Sequence, residues 1–335
     1  MKTLRGLAAP RHPGLPFPHL ALGVLLLLVY TSAATSGAVS ETQAYVASGG
    51  PPLANRHAPV IAPQNTLRSY NRVGTPAARR DTDGKVEIYI DSRFPTFYFQ
   101  QRQFRMGQSR YTNLIYRVHF ERVPYPHLTS GKNGGLFIIV TLDEARRPVL
   151  ITTVHTCGCY LAFLPTTLLP GGAFPDGWNR ERQRVYGIDL PGIVPVPQPF
   201  TADQRLVVTL KHRTHRVTDV HFMGMAQLQE RYRLVNASLA PVAQLKQLPL
   251  GDGTTTSFYH EEGAARGYVK NALKPFELLL MSWWALDARV GMDKEYGPAE
   301  ETGTVFYTSL RPWKRKDSDM WPFADFLAFW GWRLP

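Results

Sequence analysis

Two cysteines among 335 residues are too few to staple a chain of this size. A disulfide-framework scaffold is excluded, and any core must come from apolar burial. The apolar run Leu20 to Tyr30 has eleven residues, against the roughly 20 that a membrane-spanning helix needs. Acid is also scarce. Thirty-eight Lys and Arg face 26 Asp and Glu, a formal net charge of +12, which favours anionic partners such as lipid headgroups, acidic glycans or a negative ligand.

Familiar catalytic signatures are missing too. There is no G-x-S-x-G elbow, and Gly131-Lys132-Asn133-Gly134-Gly135 has the wrong order for a phosphate-binding loop. No C-x-x-C-H haem attachment sequence occurs. Tyr259-His260-Glu261-Glu262 starts like a metallopeptidase helix, but Ala264 stands where the second histidine belongs. Gly251-Asp252-Gly253-Thr254 lacks the repeated acids of a calcium loop.

What is present begins with an export signal. Lys2, Arg5 and Arg11 form a basic start, the apolar run follows, and Thr31 to Ala38 are small residues that a signal peptidase could cut. Residues 1–38 are therefore expected to be a signal peptide, with an uncleaved anchor as the alternative. Either way the remainder is exported, to the periplasm or cell envelope, where no nucleic-acid partner is expected. No acid precedes Glu41, so removing those three cations leaves +9.

Residues 39–84 are rich in Pro, Gly and Ala and read as a flexible arm. Residues 85–223 read as β. Tyr111 to Glu121 alternates, with Leu114, Tyr116, Val118 and Phe120 on one face and Ile115, Arg117, His119 and Glu121 on the other. The apolar runs 135–142 and 148–154 flank a polar hairpin turn, Asp143 to Arg147. Residues 224–335 read as helical, with helices expected over 226–235, 242–248, 259–273, 275–290 and from about 318 to 332. Pro275 suits a first helical turn. The helix it starts has few polar members, so most of its surface is expected to be buried. Strands first and helices later predict an α+β fold: a largely antiparallel sheet, then a helical portion packed on it, with 85–335 as one domain or two.

Chemistry concentrates in His155-Thr156-Cys157-Gly158-Cys159, which gathers both thiols and an imidazole within five residues. Thiolates and imidazole suit Cu(I) or Zn(II). His212 and His215, in the basic run Lys211 to Arg216, are candidate further ligands, although three neighbouring cations oppose a metal ion. Oxidation is the alternative. A Cys157–Cys159 disulfide closes a very short ring, which raises its reduction potential and suits a thiol oxidant. Inert packing in a tight turn is the bland reading.

Two further features bear on partners. Arginines and aromatics interleave from Arg93 to Arg122, either as a stacking surface for single-stranded nucleic acid or sugars, or as a sheet with an aromatic core face and a basic outer face. The C-terminus sets Arg311 to Lys316 before an aromatic-rich segment, Met320 to Arg333. That order fits contact with a membrane surface, and equally a terminal helix docked into the core. The sequence thus predicts an exported protein with a His-x-Cys-x-Cys metal or thiol-redox site. The competing reading is a non-catalytic envelope protein that binds lipid or anionic glycan, its cysteines a structural disulfide.

Overall fold

Runs of β-branched and aromatic residues set the architecture. The computed structural model describes residues 42–335, and the expected signal peptide, 1–38, lies outside the described residues. In chain order the elements are β1 (Gln43–Ser48), α1 (Pro52–His57), β2 (Val60–Pro63), β3 (Val73–Arg80), β4 (Val86–Asp91), β5 (Thr96–Met106), β6 (Ser109–Val123), β7 (Gly131–Leu142), β8 (Pro148–His155) and β9 (Ala162–Pro165). Then come β10 (Arg182–Val185), β11 (Ile188–Pro191), β12 (Gln204–Leu210), β13 (Val217–Gly224), α2 (Met225–Arg231), β14 (Arg233–Pro241), β15 (Leu248–Pro249), β16 (Thr255–Thr256), α3 (Pro275–Ala285), α4 (Ala299–Thr302) and α5 (Phe323–Phe329).

Twelve strands form one mixed sheet, ordered β13-β12-β2-β1-β14-β5-β6-β7-β8-β9, with β3 paired to β6 and to β4. From β5 to β9 it is an antiparallel meander, whereas β1–β14, β14–β5 and β12–β2 pair in parallel. The turn at Asp143 to Arg147 joins β7 to β8 as expected.

The expected α+β division is wrong. Strand outweighs helix by 40 % to 18 %, and β14, from the portion expected to be helical, lies in the middle of the sheet. The helix expected over 226–235 crosses the end of α2 into this strand. Val235, Ala237 and Leu239 alternate toward the main core, a period of two that belongs to a strand. Residues 242–248 hold a short 3-10 turn, Val242–Lys246. Residues 259–273 hold a β-bridge between Tyr259 and Val269, with Gly263 and Gly267 in the left-handed region. Those two glycines break the helical path. The stretch expected as a flexible arm instead supplies β1, β2 and β3. Several of its apolar residues, among them Ala44, Tyr45, Ile61 and Val73, are buried, although Leu67 stays exposed.

Strands β6 to β8 are covered on both faces. One face joins Leu114, Tyr116, Val118, Leu136 and Ile138 to the main core. The other presents Ile115, Phe137, Ile139 and Val149 to Phe306, Phe323, Phe326 and Trp332 from the end of the chain. Two-sided burial explains the near-continuous apolar runs. Arg117 is buried on this second face and donates to the Lys294 carbonyl. Arg102 stacks on Trp321, 3.3 Å from the ring centre, and donates to its carbonyl. Here the arginine–aromatic interleaving pins the C-terminal segment onto the sheet.

The outer covering departs from expectation at α3. Its surface was expected to be mostly buried, yet only Glu277 and Ala285 are. Leu279 and Trp283 are 72 % and 73 % exposed. Part of the C-terminal segment goes the other way, with Phe323, Phe326, Leu327 and Trp332 buried and Trp330 left 38 % exposed.

Candidate functional site

The β8–β9 hairpin loop carries the cysteine motif. His155 ends β8, and its peptide N–H donates to the Cys159 carbonyl at 2.9 Å, while Gly158 N–H returns to the His155 carbonyl at 2.7 Å. Gly158 has φ +93° and presses its α-carbon against the Tyr307 carbonyl, where a β-carbon would come within 2.2 Å of the oxygen. Only glycine fits there. The loop so folded brings Cys157 and Cys159 together as a disulfide. Cys157 is buried and Cys159 half-buried, so Cys159 is the more exposed residue of the pair.

The expected metal ligands are held differently. His155 donates through Nε2 to the His215 carbonyl at 3.3 Å, and His215 donates through Nε2 to the Tyr70 carbonyl at 2.8 Å. His215 stacks on Phe120 with ring centres 4.0 Å apart. Burial, before any charge, lowers both histidines to about 3, so both are neutral. His212 sits apart, 2.7 Å from Asn71 through Nδ1. The structure thus brings His155 beside the His215 backbone and leaves His212 elsewhere. Among the described residues no group of three or more His, Cys, Asp or Glu side chains is placed to hold a metal ion.

Behind the disulfide lies a set of buried charges. Lys294 donates through Nζ to the Cys157 carbonyl. Its own backbone N–H bonds the Thr156 carbonyl at 2.8 Å. Lys274 pairs with Asp293 at 3.3 Å, both side chains buried, and Asp293 also accepts from the Thr156 hydroxyl. Burial depresses Lys294 to about 7, against the pull of Asp287 and Asp293. Lys274 is raised, because Asp293 and Glu277 outweigh the cost of burying it. Glu277 is raised by burial, and its Oε2 has no hydrogen-bond partner. Gly291 leaves room for that carboxyl; a β-carbon there would reach 2.1 Å from Oε2.

Glu277, Met281, Tyr307 and Leu310 join the two cysteines, Tyr160 and Tyr186 around a cavity of about 130 Å³. Tyr307 donates to Asp287 through its hydroxyl, and burial together with that bond keeps it protonated. Tyr160 packs edge-on against both His155 and Tyr186, at 4.8 and 4.9 Å. The arrangement is a disulfide of one buried and one half-buried cysteine at an apolar cavity, backed by one carboxyl and two lysines with shifted proton affinities. Such a site can exchange a disulfide with an incoming thiol and move the accompanying protons.

Lys274, Glu277, Asp293 and Lys294 were not singled out from the sequence. One signal was available: Glu277 is the only charged residue in the stretch 275–286. The ion pair of Lys274 with Asp293 had no local signal, since the two residues meet only through the fold. No protein-family model, curated protein or solved structure matches the chain.

Proposed function

We propose that this is an exported protein of the periplasm or cell envelope whose Cys157–Cys159 disulfide oxidises thiols. The observation that carries the reading is the disulfide between Cys157 and Cys159 itself, set at a cavity that both residues line, with Cys159 the less buried of the two. A substrate thiolate attacks Cys159 Sγ, the Cys157–Cys159 bond breaks, and Cys157 leaves as a thiolate. A second substrate thiol then attacks the mixed disulfide and releases Cys159. Two electrons pass from the substrate dithiol to the protein, and two protons end on the protein thiols.

The neighbouring groups suit each step. Positive charge on Lys294, beside the Cys157 carbonyl, favours the leaving thiolate. Its value near 7 lets it give up a proton at neutral pH. Glu277, raised and unpartnered at the cavity wall, accepts the proton of the incoming thiol.

Trapping tests the order of attack. Cys157→Ser leaves Cys159 with no resolving thiol, and its thiolate should attack oxidised glutathione to accumulate a Cys159–glutathione mixed disulfide, releasing one reduced glutathione. Cys159→Ser leaves only the buried Cys157, and should accumulate at least tenfold less in the same time. Equal trapping by both variants would remove the case for Cys159 as the reacting sulfur.

A further inference from the structure

A helix apolar on every side belongs in a core or in a membrane. Helix α3 is such a helix and is covered on one side only. Leu279, Leu280, Trp283, Trp284 and Leu286 all stand exposed, between 44 % and 73 %. The single acid of the helix, Glu277, is buried beneath it. The outer face therefore carries no negative charge, and its eleven residues extend about 16 Å at 1.5 Å each. Contiguous apolar surface of that kind marks a contact site.

The charge beside the face indicates what it contacts. The basic run Arg311 to Lys316 docks on the C-terminal end of α3, where Arg315 donates to the carbonyls of Ala285 and Leu286. Arg311 and Lys316 are exposed in that run, and Trp313 between them is 74 % exposed. Tyr125, also exposed, extends the patch by packing on Phe276 with ring centres 5.3 Å apart. Leucines flanked by tryptophan, tyrosine and cations form the pattern of an interfacial helix on anionic lipid.

We infer that α3, with the adjoining run Arg311 to Lys316, is an interfacial docking surface for a bilayer carrying anionic headgroups. The helix lies in the headgroup plane. No helix among the described residues is long and apolar enough to cross a membrane. The inference is independent of the redox reading, since it involves neither sulfur.

The test is sedimentation of the full chain with vesicles of phosphatidylcholine alone or mixed with phosphatidylglycerol. The wild-type chain should bind the mixed vesicles at least tenfold more tightly than the neutral ones. The double variant Leu279→Ser/Trp283→Ser should bind at least tenfold more weakly while keeping its circular dichroism and thermal midpoint, because both side chains are already in solvent. Arg311→Glu/Lys316→Glu should weaken binding and flatten its salt dependence. Losses smaller than these overturn the proposal. So does a concentration-dependent dimer, seen without lipid and abolished by the α3 double variant, which would assign the face to a second copy of the chain.

Discussion

At the scale of single residues, Lys294 is the most telling group. A lysine buried in a folded chain is destabilising in its charged form. Its proton affinity falls from 10.5 in the open chain to about 7 in the fold. Between those two values the unfolded chain binds the extra proton, so the folded state gains stability as pH rises. Lys294→Met should remove that gain. Denaturant unfolding of wild type and variant at pH 7 and pH 9 measures it: the wild type should be stabilised relative to the variant on going to the higher pH. A constant difference between the two would mean that Lys294 is not held near neutrality. The cysteine motif itself was legible as a sequence, down to the choice between metal and disulfide. Its neighbours were not, because Lys274, Asp293 and Lys294 reach the loop from a segment more than a hundred residues later in the chain.

At the scale of elements, legibility followed the strength of the period. Strands β6, β7 and β8 could be read directly, since long β-branched runs and a polar turn admit one interpretation. Strand β14 could not. Its alternation spans only Val235, Ala237 and Leu239, directly after a genuine short helix, α2. Helix α3 was placed correctly at its start, but composition alone cannot distinguish an apolar helix inside a core from one left on the surface. The same ambiguity at the C-terminus resolved in the opposite sense. Phe326 of α5 is fully buried, against Phe163 and Phe323. Phe326→Ala should therefore cost about 3–5 kcal/mol in denaturant unfolding and leave vesicle binding of the remaining folded protein unchanged. A cost below about 1 kcal/mol would mean that α5 is not part of the core.

At the scale of the whole molecule, burial of histidine sets the response to acid. His57 is lowered to about 4, and His155 and His215 to about 3, each chiefly by burial. His119, fully buried, is lowered well below its ordinary value for the same reason. All four titrate near 6.5 once unfolded. The unfolded chain thus takes up more protons below pH 6.5, and stability present above that pH is lost as pH falls toward 3. Unfolding at pH 5 should take up about three protons from His57, His155 and His215, measured as the pH dependence of the denaturation midpoint. A midpoint that stays level from pH 6.5 to 4.5 would contradict their burial.

The two-sided core and the buried charges hold the β8–β9 loop so that its disulfide lines the cavity, with Cys159 the less buried cysteine. Thiol oxidation by this protein requires that bond to be exchangeable. Equilibrating the folded protein in graded glutathione buffers, then alkylating and weighing it, gives the reduction potential of Cys157–Cys159. A short ring with one half-buried cysteine should be half-reduced at a potential more oxidising than about −230 mV, in the range of dedicated thiol oxidants and isomerases. A disulfide still intact below about −300 mV, where structural disulfides lie, would contradict the redox reading and leave the bond a structural clasp.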